Sequence, residues 1–357
     1  MLNYKHLDWR LNLTVLFLIA AGLASLASTN PSLFYRQLLW LALGLVLALF
    51  VISFDWRPFV NYRFWIFGFY FIVIALLVAA LIFAPTIRGT KSWLRIGSFQ
   101  FEPSELMKLA LIVFYSRFFS RRHAAIAQIP NSIVSFIYFA GPAALIIIQP
   151  DFGSAAVLFS IWLGYLLVSG IPWRHLLVVL LLLSILGTLA WDSFLKPYQK
   201  ERILGFLFPT RDPLGINYSV IQAKIAIGSA GLFGKGFKQG TQTKLGFLTE
   251  QQTDFIFAAF IEEWGVLAGL LLVAAFIFLI FEIIKIGLDA QNNFSRFVCL
   301  GAAILFVVQF ILNIGSNLGL TPVIGATFPF FSYGGSSILT NFILLGIIQS
   351  IYIHRSP

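Results

Sequence analysis

Apolar runs long enough to cross a bilayer follow one another along this chain, with short polar interruptions between them. Between Arg10 and Arg36, for example, no charged residue occurs. An α-helix needs about 20 mostly apolar residues to cross the hydrocarbon core. Windows of that kind lie at 11–29, 33–53, 64–84, 104–119, 133–149, 152–170, 173–191, 255–281, 297–318 and 336–353. The pattern predicts an all-α, polytopic membrane protein with about ten transmembrane helices. Lys5 and Arg10 ahead of the first run resemble the start of a signal peptide. That run is as long as a full span and others follow it, so it is read as an uncleaved first helix. The fifth window contains Gly141–Pro142, and a kink is expected there because proline removes a helix hydrogen bond.

Composition agrees with the pattern. Hydrophobic residues make up 59% of the 357, charged residues 11%, and the mean hydropathy is +0.90. Soluble domains carry roughly 25% charged residues, so lipid must face most of this surface. No polar stretch is long enough for a second domain, and residues 1–357 are read as one membrane domain. The single cysteine, Cys299, lies in an apolar run and is expected to be a small buried hydrophobe.

Basic residues orient the spans, because cytoplasmic connections are enriched in Lys and Arg. With the N-terminus inside, the cytoplasmic segments hold Lys5, Arg10, Arg57, Arg63, Arg117, Arg121, Arg122, Arg174, Lys285, Arg296 and Arg355. The short outside segments hold only Arg36, Arg88, Lys91, Arg95 and Lys108. Both termini are therefore expected in the cytoplasm, and the one long connection, 192–253, outside. That loop carries eight basic and four acidic residues. It is either simply solvated or suited to an anionic ligand such as a lipid phosphate. The net charge of +10 thus serves topology and this loop, and nucleic acid is not an expected partner. No internal repeat stands out, which counts against a transporter built from inverted repeats.

Three places put polar groups where lipid should exclude them. In Glu102-Pro103-Ser104-Glu105-Leu106-Met107-Lys108, proline suits the first helical position, and the three charges recur every third residue on one face. Glu105 and Lys108 are spaced to pair, either as a structural ion pair or as the charged wall of an outward-opening cavity. Asp254 precedes the apolar run at Phe255. A carboxylate there is either a helix cap favoured by the dipole or a functional group at the water–lipid boundary. Glu262 and Glu263 follow, roughly 12–13 Å deeper on a continuous helix, and need partners from other helices. Finally, 319–335 is uncharged but has four glycines and two prolines. Irregular apolar backbone of this kind must pack inside protein or line a cavity.

Other chemistries find no support. Gly228–Lys235 lacks the spacing and the following Ser or Thr of a phosphate-binding loop. One Cys and four scattered His give no zinc spacing, and no Gly-x-Ser-x-Gly is present.

The motifs resemble one family in order along nearly the whole chain. They are Glu102-Pro103-Ser104-Glu105-Leu106-Met107-Lys108-Leu109, Gln149-Pro150-Asp151-Phe152-Gly153, Ala226-Ile227-Gly228-Ser229-Ala230-Gly231, Thr253-Asp254-Phe255-Ile256-Phe257-Ala258, Pro322-Val323-Ile324-Gly325 and Phe331-Ser332-Tyr333-Gly334-Gly335-Ser336-Ser337. Together they resemble the SEDS family (shape, elongation, division, sporulation). Lys235-Gly236 with Gly240-Thr241-Gln242 is more similar to its elongation branch, RodA, than to its division branch, FtsW. Thr249-Glu250 and Gln252 depart from the family's usual Pro-Glu and His.

The resemblance implies a peptidoglycan glycosyltransferase that polymerises lipid II at the outer face of the bacterial inner membrane. Its partners would be a class B penicillin-binding protein (a transpeptidase) and the elongation machinery. Asp254 would be the catalytic residue, a general base toward the acceptor hydroxyl. Candidates for binding substrate and its diphosphate are Arg202 and Lys108, then Arg88, Lys91 and Lys235, with Glu105 and Asp151 in the neighbouring motifs. No cofactor is firmly implied. A divalent cation, Mg or Mn, held by Asp254 or Glu105 with the diphosphate is a second way to stabilise the leaving charge. The rival readings are a lipid II flippase and a non-catalytic scaffold.

Overall fold

The structure, a computed structural model, describes residues 7–53, 62–87, 89–97, 99–122, 129–193, 197–209 and 212–354. Its helices in chain order are α1 (Trp9–Thr29), α2 (Pro31–Ser53), α3 (Arg63–Phe83), α4 (Pro103–Arg122), α5 (Ile129–Ile148), α6 (Phe152–Val168) and α7 (Trp173–Ser193). They continue with α8 (Pro197–Leu207), α9 (Tyr218–Ser229), α10 (Thr241–Lys244), α11 (Ile256–Leu288), α12 (Asn293–Leu318) and α13 (Gly335–Ile353). A short antiparallel hairpin, β1 (Leu94–Ile96) with β2 (Phe99–Phe101), leads into α4. The ten long helices among the described residues coincide with the ten expected spans. Among the described residues, α1, α2, α3, α5, α11, α12 and α13 are long and apolar enough to cross a membrane, and α6 is apolar but shorter.

Of the two remaining long helices, α4 and α7, α4 is the hub of the bundle. It packs against α3, α5, α6, α12 and α13. Met107, Leu111, Ile112, Tyr115 and Phe119 on it are completely buried, as expected for a helix enclosed on all sides. The outer helices show the opposite pattern. Leu39, Val46, Phe50, Phe64, Phe83 and Leu271 are among many large apolar side chains left exposed, a surface that only lipid can cover. Between helices, polar side chains bond to carbonyls or to one another. Tyr115 donates to Ser135 O, Tyr165 to Phe297 O, and Gln149 to Leu77 O. Such bonds hold helices together where no hydrophobic drive operates between them.

The start of α1 and the end of α13 lie on one face. The buried Gln349 carboxamide near the end of α13 accepts from Asp8 N and donates to Asp8 O at the start of α1. The long connection 192–253 is not featureless, since α8, α9 and α10 lie within it.

One expected span is broken. Gly265 inside α11 has φ 89° and ψ 169°, so Ile256–Trp264 forms one helical segment and 266–288 another. The loop after α9 fills the break. Lys235 N and Gly236 N donate to Glu262 O and Glu263 O at 2.9 and 3.0 Å, while Val266 N and Leu267 N donate to Gly231 O and Leu232 O at 3.1 and 3.2 Å. Peptide groups orphaned on both sides of the break are thereby satisfied. The segment 266–288 alone, at 1.5 Å per residue, is about 34 Å long and suffices to cross the bilayer.

The break corrects the expected depth of Glu262 and Glu263. Glu263 accepts a hydrogen bond from Ser28 in the last turn of α1, whereas Arg10 at the other end of α1 lies 4.0 Å from Glu282. The two acids are therefore level with the outer end of α1, not buried far down a continuous helix.

A Cβ at position 265 would collide with Leu232 O, and its backbone conformation is one that essentially only glycine adopts. Gly265→Ala is expected to cost about 1–3 kcal/mol from backbone strain alone. Thermal unfolding in detergent checks this, and an unchanged midpoint would show that the break is not strained.

Candidate active site

Asp254 sits in a turn that the rest of the protein holds by its backbone. Thr253 N and Phe255 N both donate to Glu250 O, closing the turn. The carbonyls that face inward are then met in sequence. Tyr333 N donates to Gln252 O at 3.0 Å, and Ser332 Oγ donates to Thr253 O at 3.0 Å. Asn313 Nδ2 donates to Thr253 O and Asp254 O, and Asn317 Nδ2 donates to Asp254 O at 2.7 Å. Asn317 Oδ1 in turn accepts from Ala258 N at 3.0 Å, the third amide of the helical segment. Asn317 thus satisfies from another helix a donor that an N-cap side chain would ordinarily take. The N-cap position itself is Phe255. Asp254 is half-buried at a positive helix end that favours its charge.

A second cluster surrounds the start of α4. Lys108 Nζ pairs with Glu105 Oε1 at 2.6 Å, and both side chains are buried. Ser104 Oγ donates to Glu102 Oε1 at 2.6 Å and lies 3.3 Å from Ser154 Oγ. Asp151, the N-cap of α6, accepts from Ser154 N through Oδ1. Glu105, Lys108 and Asp151 are therefore brought together, with Glu102, Ser104 and Ser154 added. Glu102 keeps part of its surface exposed, but its carboxyl lies within the cluster. It is pushed up to about 8, first by burial, then by Asp151 and Glu105, against the opposing effects of Lys108 and the Ser104 hydrogen bond. Among the described residues Lys108 is the one cation in this cluster, so a diphosphate reaching it competes with Glu105.

The irregular stretch 319–335 joins the two clusters, as a packed loop beside the candidate site. On one side, Gly153 at the start of α6 abuts Ile324 O so closely that a Cβ would collide with it. Ser336, just past the stretch, accepts from Glu102 N at 2.9 Å through its hydroxyl. On the other side, Ala326 O accepts from Asn313, and Ser332 and Tyr333 hold the Asp254 turn. Phe328, Phe330 and Phe331 are buried and anchor it. The Arg36 guanidinium of α2 lies near the Tyr333 hydroxyl.

The remaining candidates are more scattered. Lys91 is exposed in the connection leading to the hairpin, and Arg202 is exposed on α8. Arg88 lies outside the described residues. Lys235 is held by Glu262 Oε1 at 3.0 Å and Thr241 Oγ1 at 2.7 Å. The partner of Glu262 thus comes from the long loop, not from another membrane helix as expected. Asn313 and Asn317 were missed in the sequence, although two carboxamides four residues apart on a membrane helix mark one polar face.

Among the described residues no group of three or more His, Cys, Asp or Glu is arranged to hold a metal ion. Hard cations take six or more oxygens, so a resident metal does not fit these residues. One carried in with a diphosphate would draw most of its oxygens from substrate and water. A cleft of about 460 Å³ between α1 and α11 is lined by Leu13, Phe17, Leu271 and Phe278. It is apolar and lipid-facing, and its one polar member, Thr14, bonds to Arg10 O in its own helix.

Comparison with known proteins matches residues 6–356 to a family model described as "Cell cycle protein" (FTSW_RODA_SPOVE). This chain belongs to that family, the SEDS proteins. Peptidoglycan glycosyltransferase MrdB of Escherichia coli strain K12 is 35% identical over 98% of this chain and 94% of its own length. Stage V sporulation protein E of Bacillus subtilis strain 168 is 34% identical over 88% of this chain and 86% of its own. Among solved structures, a chain of a peptidoglycan synthase complex, described for its coordination of polymerization and crosslinking, superposes with a TM-score of 0.84. It is 33% identical, with 98% of both chains covered. RodA of Thermus thermophilus superposes with a TM-score of 0.75 at 28% identity, over 100% of both chains. The SEDS protein described here is a multi-pass inner-membrane peptidoglycan glycosyltransferase of cell elongation, of the RodA type.

Between the usual carboxylate value of 4.5 and about 8, Glu102 holds a proton in the folded chain that the unfolded chain releases. Stability therefore falls as pH rises through that window and levels off above it. Glu102→Gln mimics the protonated acid and should flatten this fall, read as melting temperature in detergent between about pH 5 and pH 8. A variant that keeps the natural slope would place the proton elsewhere.

Proposed function

We propose that this glycosyltransferase polymerises lipid II at the outer face of the membrane, with Asp254 as the general base. The observation that carries this reading is the Asp254 turn, whose backbone is fixed from α12 and the 319–335 stretch at the outer end of the bundle. Rigid placement of a base against its substrate is what an oriented reaction requires.

In the proposed step, the 4-hydroxyl oxygen of the acceptor sugar bonds to the anomeric carbon of a lipid-linked donor. The bond from that carbon to the diphosphate oxygen breaks, the hydroxyl proton passes to the Asp254 carboxylate, and the lipid diphosphate leaves. Lys108 stabilises the leaving charge by exchanging Glu105 for a phosphate oxygen, with Arg202 and Lys91 contributing from the outer surface. Arg suits this because its fork meets phosphate oxygens in pairs. Glu102, Glu105 and Asp151 receive the polar sugar face. A class B penicillin-binding protein would cross-link the emerging glycan. The structural likeness to a chain of a synthase complex that coordinates polymerization and crosslinking supports that partnership.

Asp254→Asn keeps the size of the side chain and removes the base. It is expected to lower polymerisation of purified lipid II by about 10²- to 10⁴-fold while leaving binding to the transpeptidase intact. Polymer made at the natural rate by Asp254→Asn would refute the assignment.

A further inference from the structure

We infer that Glu262 and Lys235 are positioning residues for the transferase, forming a clamp that sets the direction of the Asp254-bearing helical segment. The inference rests on the reading of Asp254 as the base, and it moves Lys235 away from the diphosphate.

The clamp is built at the far end of the segment from Asp254. The Glu262 side chain is fully buried and that of Lys235 is 23% exposed. Glu262 Oε1 accepts from Lys235 Nζ at 3.0 Å, from Gln242 N at 2.8 Å and from Thr241 Oγ1 at 3.1 Å, while Oε2 accepts from Thr243 N at 3.1 Å. Lys235 Nζ also donates to Thr241 Oγ1. A buried carboxylate with four donors, one of them the paired cation, is fully satisfied. The same loop inserts its backbone into the break at Gly265, with Lys235 N and Gly236 N on the carbonyls of Glu262 and Glu263. Side chain and backbone therefore act on one joint.

Two pins define the direction of a rod where one does not. Asn313 and Asn317 hold the segment at Asp254, and the clamp holds it eight residues later. Those eight residues span about 12 Å, so a pivot of about 10° shifts one end against the other by about 2 Å. A misplacement of about 1 Å can cost 10²-fold in rate. Because the clamp straddles the break, it also ties the membrane-crossing part of α11 to the base.

The test uses the purified full chain in detergent, a lipid-linked disaccharide substrate and turnover normalised to the folded fraction. Lys235→Met and Glu262→Gln are expected to lower kcat by about 10- to 100-fold with KM nearly unchanged. Lys235→Arg, which restores a donor, recovers most of the activity, and the double variant is no slower than the slower single one. Should Glu262→Gln fail to fold, the partly exposed Lys235 carries the comparison through its Met and Arg variants. A raised KM with kcat preserved in Lys235→Met would make Lys235 a substrate ligand and overturn the clamp. Full activity in Lys235→Met, or failure of Lys235→Arg to recover, would overturn it as well. Asp254→Asn in the same assay separates the two readings. If it is inactive while the clamp variants are fully active, only the clamp falls; if it is active, the base assignment falls whatever the clamp variants do.

Discussion

Peptide carbonyls in irregular backbone within a membrane bundle must find donors inside the protein, and the whole candidate site depends on how that is done here. The carbonyls of Gln252, Thr253 and Asp254 are met by Tyr333, Ser332, Asn313 and Asn317. Thr253 O and Asp254 O each have two donors, and Gln252 O, met by Tyr333 N alone, would cost about 1–3 kcal/mol if that bond were lost. The turn is thus held in place by the expense of every alternative. Orientation settled before substrate arrives is the main contribution a protein makes to a group-transfer reaction.

The acids around α4 illustrate the same economy. Burying an ion pair seldom adds stability over a well-packed apolar replacement. Glu105 and Lys108 nevertheless sit paired in the most enclosed helix of the bundle. Glu102 joins them with its proton retained at neutral pH, which keeps the cluster from setting three negative charges against one cation. Such an arrangement is costly for a scaffold and suited to a site that must exchange partners when a polar head group enters. The 319–335 stretch makes it one site with Asp254, because Ile324 O abuts Gly153 on one side while Ser332 and Tyr333 hold the Asp254 turn on the other.

Much of the fold was legible in the sequence because each span is a run of about 20 apolar residues, a signal that needs no partner to be read. The acid cluster was legible as well, since Glu105 and Lys108 are neighbours on one helix turn. The break at Gly265 was not. Gly265 sits in an apolar run with no proline near it, and a single glycine inside a helix is tolerated at about 1 kcal/mol. What opens the helix is the loop 231–236, some thirty residues earlier, and that contact exists only in three dimensions. Glu262 and Glu263 were placed too deep for the same reason, and the partner of Glu262 was sought on other helices instead of in the polar loop. Asn317 shows a third kind of gap. Its carboxamide oxygen caps a helix it does not belong to, so the sequence alone left Asp254, the acid nearest that helix's start, open as either the cap or a functional group.

The central claim is that the Asp254 carboxylate takes the proton of the acceptor hydroxyl, and chemical rescue tests it most directly. Asp254→Ala leaves space where the carboxylate stood, and small carboxylates such as formate can be supplied in solution. The account holds that this variant is silent with purified lipid-linked substrate and regains turnover as formate is added. Turnover by Asp254→Ala at the natural rate, with no added carboxylate, would contradict it.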